Sequence, residues 1–160
     1  MIVLRKTVLE DIPKMYENLN LKYVKKYCKG QEEKQWEIHR IWYMFLINSP
    51  SYLLYTVEDT TGKFIGNIKF EIQDEIAIFS IYLVEEVRGR GYSKILIDAS
   101  IEELKFENSR ISLILAYILE ENENSIKAFE KADFICDGVE EYNGIDHLLY
   151  IKVVNRDNWK

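Results

Sequence analysis

Tyr82-Leu83-Val84-Glu85-Glu86-Val87-Arg88-Gly89-Arg90-Gly91-Tyr92-Ser93 carries the chain from an apolar run through a glycine turn into an amphipathic stretch. Before the turn, Ile76 to Val84 is almost continuously apolar, the pattern of a strand covered on both faces and therefore central in its sheet. After it, Ile97, Ile101 and Leu104 share one stripe of a helix that begins near Ser93, with Asp98, Glu102 and Glu103 off that stripe. A glycine turn between strand and helix makes an anion cradle. Glycines let the backbone approach a ligand, successive N–H groups point inward, and the helix N-terminus adds partial positive charge. Arg88 and Arg90 then stand where they can meet phosphate oxygens. The plainer alternative is a tight turn with surface arginines. Dinucleotide and P-loop patterns fail, because Lys94 occupies the third glycine position of the first and no Gly-Lys-Ser/Thr closes the second.

Outward from the turn, Ile2 to Lys6 reads as a strand, and Thr7-Val8-Leu9-Glu10 as a capping box opening a helix to about Asn20. Glu32 to Ile47 is a second helical region, rich in Trp36, Ile38, Ile41, Trp42, Phe45 and Leu46 and stopped by Asn48-Ser49-Pro50; Trp36, Trp42, Tyr43 and Phe45 could floor a pocket for a sugar or nucleotide base, but at helical spacing most read as core. Tyr52 to Glu58 and Phe64 to Ile72 flank a turn at Thr60-Thr61-Gly62, and the second run alternates apolar with polar residues. Ile111 to Leu119 is a further strand and Asn124 to Ala132 a short helix; Phe134 to Tyr142 and Ile145 to Val153 form a hairpin around Asn143-Gly144. The expected fold is α/β (α+β): a mixed, mostly antiparallel sheet of about seven strands with helices on both faces. No linker-like stretch or repeat divides residues 1–160, so one domain is expected.

Hydrophobic residues at 48% beside 30% charged describe a folded domain. The 21 basic and 27 acidic residues sum to −6, opposite to the field that nucleic acid or an anionic membrane rewards, and neither is expected as a partner. Cys28 and Cys136 suffice for neither a disulfide framework nor a zinc quartet, and no metal is expected. No run approaches the ~20 apolar residues of a membrane span. The first residues lack the order of a signal peptide, so cytoplasm is the expected compartment.

The segment from Arg88 to Ser93 resembles the signature of the GNAT family of acyl-CoA-dependent N-acetyltransferases, Arg/Gln-x-x-Gly-x-Gly/Ala, met by Arg88, Gly91 and the small Ser93. A second block, Ala116 to Phe134, resembles the family's strand, Asn-x-x-Ala/Ser, helix and Tyr-Glu-Lys-x-Gly-Phe, and the element order resembles the whole GNAT fold. The resemblance implies acetyl-CoA as acyl donor. Its pyrophosphate would lie on Arg88, Gly89, Arg90, Gly91, Tyr92 and Ser93, its pantetheine along Tyr82, Leu83 and Val84, and its arm near Asn122, Ser125 and Phe129. Phe129 stands where many members carry a tyrosine that protonates the leaving thiolate, and Asp133 replaces a glycine before Phe134.

Acetyl transfer needs a neutral amine, an oxyanion site and a route for a proton. Leu83 or Val84 sits where the resemblance puts the backbone oxyanion donor. Glu75 resembles in position the glutamate base of histone-type members, and Glu71 on the neighbouring strand is the second candidate; for both, a merely solvated carboxylate is the competing reading. His39 and His147 read as packing or surface residues. The block Trp36 to Tyr43, with Gly66 to Phe70 and Ser125 to Ala132, is similar to the branch acting on nucleotide-linked amino sugars. A protein N-terminal amine or a polyamine is the alternative acceptor, and an acyl-CoA-binding sensor or interaction module without turnover the alternative function. The oligomeric state is not legible.

Overall fold

The computed structural model describes residues 2–19 and 36–155; Cys28, Asn20 and residues 32–35 of the expected second helix lie outside the described residues. The elements are β1 (Ile2–Lys6), a 3-10 turn (Leu9–Asp11), α1 (Ile12–Leu19), α2 (Trp36–Asn48), β2 (Tyr52–Asp59), β3 (Phe64–Gln73), β4 (Ile76–Leu83), a 3-10 turn (Glu85–Val87), α3 (Tyr92–Glu107), β5 (Leu113–Ile118), α4 (Glu123–Lys131), β6 (Ile135–Tyr142) and β7 (Ile145–Val153). The strands form one seven-stranded sheet ordered β1-β2-β3-β4-β5-β7-β6. Every neighbouring pair is antiparallel except β4 with β5. The α3 crossover makes that pair parallel, since a strand that returns through a helix re-enters in the same direction.

Alternation sorts the side chains onto two faces. On one, Tyr55, Ile68, Phe70, Phe79, Ile114 and Ala116 are buried against Ile97, Ile101 and Leu104 of α3 and Phe129 of α4. Phe79 meets Phe129 edge-on, with ring centroids 5.3 Å apart. Fully burying one such side chain is worth about 1.5–3 kcal/mol, so this layer contributes substantially to stability. The opposite face carries α1 against β3 and α2 against β2.

At the start of α1 the sequence expectation needs correcting. Thr7 does not cap the helix: its hydroxyl is buried and bonds Thr56 Oγ1 at 2.9 Å. Asp11 instead accepts the Val8 N–H at 2.8 Å, the Thr56 hydroxyl at 3.0 Å and two Arg5 N–H groups at 2.8 and 2.7 Å. Burial alone would raise the Asp11 pKa, but the Arg5 guanidinium and the two other donors outweigh it and hold the carboxyl below its ordinary range.

Two further expectations fail. The aromatic residues of α2 are not mostly core: Trp36, Trp42 and Phe45 are exposed, the last two along one stripe with Ile38 and Ile41, whereas His39 and Leu46 are buried. Helical spacing reveals an apolar stripe but not which side meets the sheet. β4 is central, yet it is covered on both faces only through Ala77, Ile78 and Phe79, and Ser80 is exposed. The reason lies in how β4 leaves β5.

Candidate active site

Parallel pairing between β4 and β5 runs only from Ile76 with Leu113 to Ile78 with Leu115. Beyond that rung both strands continue, β4 to Leu83 and β5 to Ile118, without pairing to each other, so the sheet opens as a wedge. Val84 N–H donates to Ile65 O at 2.9 Å, on the β3 side. Strand alternation then aims the N–H groups of Ile81 and Leu83 the other way, into the wedge.

At the mouth of the wedge Gly89 and Gly91 take φ of 74° and 81°, the left-handed region that glycine enters without the Cβ penalty. Gly91 is the N-cap of α3; no side chain caps the helix and its first turn holds no acidic residue. The first N–H groups of this 16-residue helix therefore face the turn with the positive end of the dipole. A cavity of about 500 Å³ fills the space between the turn and the start of α4. Tyr82, Leu83, Arg88, Gly89 and Ser93 line one wall, and Asn122 and Ser125 the other. Asn122 Oδ1 caps α4 by accepting the Ser125 N–H at 3.3 Å, which leaves its amide donors as the end available to a ligand. Glu85, Glu121 and Glu123 also border the cavity, all exposed to water that screens their charge.

The structure separates the other residues expected around the cofactor. Arg88 folds back, its Nε donating to Leu83 O at 2.7 Å and its guanidinium 5.6 Å from the Tyr82 ring centroid. It braces the strand end while still lining the cavity. Val84, Arg90 and Tyr92 line a different cleft with Lys63 and Asp59, so the two arginines do not converge on one point. Phe129 is 3% exposed, enclosed by Phe79 and Phe134, and does not reach the cavity.

On the α1 and α2 face, Glu71 lies directly across from Ile78, the last residue of β4 paired to β5. Glu71 is therefore level with the apex of the wedge, one strand away on β3. Tyr52, its partner on β2, and Tyr142 both have hydroxyls raised above the ordinary phenol value, chiefly by burial and then by the Glu71 charge. Tyr142 stacks on Tyr117 of β5 at 4.2 Å with 7° between the planes, and His147 meets both rings edge-on. A carboxylate among tyrosines thus faces the wedge from the side opposite α4. Glu75 is elsewhere. It sits in the β3–β4 turn, its carbonyl accepting the Ser112 and Leu113 N–H groups, and it borders a separate cleft with Arg110. Eight residues of strand separate it from Leu83, roughly 26 Å.

Sequence reading did not single out Tyr52, Tyr117, Tyr142, Lys69 or Ser80. The one available signal was Ser80, the polar interruption of an apolar run. His39 is buried among Tyr16, Trp36 and Tyr43, Cys136 is exposed, and among the described residues no group of three His, Cys, Asp or Glu could hold a metal. Among those residues no helix is long and apolar enough to cross a membrane.

A mixed sheet that splits between its parallel strands, over a glycine turn and an uncapped helix end, has the architecture of an acyl-CoA-dependent acyltransferase. The sequence model of the acetyltransferase (GNAT) domain matches residues 2–135, and the chain belongs to the GNAT family of acetyl-CoA-dependent N-acetyltransferases. Aminoglycoside acetyltransferase AAC(6')-Ib, solved with ribostamycin and coenzyme A, is similar in fold at TM-score 0.82 and 19% identity over 99% of this chain and 95% of that one. Spermidine N-acetyltransferase from Vibrio cholerae, solved with CoA and spermine, is similar at TM-score 0.81 and 20% identity over 95% of each chain. A domain from Methanocaldococcus jannaschii gives TM-score 0.80 at 18% identity over 96% of this chain and 99% of that one. No curated protein sequence matches.

Proposed function

We propose that residues 1–160 act as one domain, expected in the cytoplasm, that transfers acetyl from acetyl-CoA to a primary amine received on the α1 and α2 face, in the finer reading the amine of a nucleotide-linked sugar. The observation that carries this reading is Glu71 level with the wedge apex, ringed by Tyr52 and Tyr142. The cavity residues fit the donor: helix α3 and the Gly89 to Ser93 turn offer N–H groups to its phosphates, and among the described residues nothing beyond the chain neighbours lies within 4 Å of a Cβ built on Gly89 or Gly91. Acetyl-CoA brings a thioester whose carbonyl is open to attack. Ile81 and Leu83 aim N–H groups at the space where negative charge would develop on that oxygen. Glu71 takes a proton from the acceptor nitrogen so that the neutral amine attacks the thioester carbonyl and CoA leaves as thiolate, and the stacked Tyr117 and Tyr142 rings offer a flat apolar face to a sugar. No acid is needed where Phe129 lies, because a thiol of pKa near ~8.5 leaves tolerably as thiolate.

The solved neighbours named for spermidine and aminoglycosides keep polyamines and amino sugars together in the trial panel. Thiol release measured across sugar nucleotides, aminoglycosides, polyamines and peptides tests the reading. Glu71→Gln should lower kcat about 10²-fold with little change in KM, and Glu75→Gln should stay near wild type. Full activity in Glu71→Gln would end the base assignment. Binding of acetyl-CoA without turnover on any amine would favour the sensor module.

A further inference from the structure

Lys69 occupies the same strand and the same face as Glu71, two residues away, a separation of about 6.6 Å. Its cross-strand neighbours are Leu54, buried beneath α2, and Ser80, exposed beside the wedge. A surface lysine ordinarily runs its stem along apolar surface and keeps its ammonium in water. Lys69 is half-buried instead, and among the described residues it makes no hydrogen bond and no ion pair. Burial lowers its pKa, and the charge of Glu71 nearby partly offsets that. A methionine would fill the same space without the cost of desolvating a charge.

We propose that Lys69 selects the acceptor: it binds an acid group on the acceptor molecule, held about one sugar ring away from the amine that Glu71 deprotonates. This rests on the acetyl-transfer reading above and sharpens it. The acceptor class is an amine that also carries a phosphate or a carboxylate, and purely cationic amines meet a like charge where that acid would lie. Lys69 and Glu71 together form a two-sign site matched to such a molecule.

The test uses amine pairs that differ only in the acid: glucosamine 1-phosphate against glucosamine, and 4-aminobutyrate against its methyl ester, with spermidine as the acid-free polycation. Each is assayed for kcat/KM and titrated calorimetrically into CoA-saturated protein. Wild type should favour the acid-bearing member at least tenfold in one pair, and which pair responds separates phosphate from carboxylate. Lys69→Met should abolish the preference with unchanged melting, and Lys69→Arg should restore part of it. Equal or better use of the acid-free members by wild type, an unaltered preference in Lys69→Met, or no binding by any pair would overturn the assignment. A Lys69-dependent binding preference without thiol release would instead sustain it and remove the acetyl-transfer reading.

Discussion

Gly66 allows a close approach of β3 to the strand that forms the wedge. A Cβ built there would lie 2.4 Å from the Tyr82 carbonyl oxygen and 2.7 Å from Leu83 Cδ2, where ordinary contacts begin at 3.4 Å. Gly66→Ala must therefore push β3 and β4 apart by about 1 Å at the rung that pairs Gly66 with Leu83. Overpacking of this kind costs about 1–3 kcal/mol. In a chain of this size 2 kcal/mol corresponds to a drop of roughly 4–8 °C in Tm. Leu83 moves with the strand, and losing one hydrogen bond of the pantetheine contact proposed along Tyr82, Leu83 and Val84, about 1 kcal/mol, should weaken CoA binding about fivefold. Gly138→Ala is the control. Its φ of 97° also disfavours a side chain, at about 1–2 kcal/mol, but among the described residues nothing lies within 4 Å of its Cβ, and it sits in the edge strand β6, separated from β4 by β5 and β7. Thermal melting with CoA calorimetry should show both variants destabilised and only Gly66→Ala impaired in CoA binding. Equal CoA affinity in the two variants would refute the claim that this rung positions the wedge.

Gly91→Val should weaken CoA more than tenfold, since its side chain points into space the protein leaves open at the α3 N-cap; unchanged affinity by calorimetry in a folded variant would remove the turn from the cofactor site. Phe129→Tyr buries a hydroxyl among Phe79 and Phe134, so melting should show a loss of about 1–3 kcal/mol while turnover stays within about tenfold of wild type. The Asp11 carboxyl has a lowered folded-state pKa, so its contribution is fully present above its ordinary value of 3.8 and is lost as pH falls from there through the folded value. Asp11→Asn should remove that component of acid destabilisation in melts taken between about pH 5 and pH 2, and should destabilise the protein at neutral pH.

The parts of the fold written in local pattern were legible. The Asn143-Gly144 hairpin, the alternation of β3 and the glycine turn before α3 each depend on a few adjacent residues, and all are present where expected. The GNAT resemblance rested on that turn and the block around α4, and the family match agrees with it. What local pattern does not encode is where two distant strands stop pairing. The wedge begins after Ile78 and Leu115, yet the residues on either side of that rung are equally apolar. The approach of Tyr142 to Glu71 depends likewise on the order β4-β5-β7-β6. Counting back from the Arg-Gly turn pointed to Glu75, but side-chain parity and the end of pairing favour Glu71.

The wedge also governs how the sheet trades hydrogen with solvent. Amides in the middle strand of a sheet ordinarily exchange only when the structure opens globally. In the fourth strand of seven, Tyr82 and Val84 point to β3 and should be slow, whereas Ile81 and Leu83 face no strand and should exchange as fast as a loop. An alternation of slow and fast amides along four consecutive residues is the solution signature of this opening. A ligand that fills it completes the sheet, and the fast pair should then slow while their neighbours stay as they were.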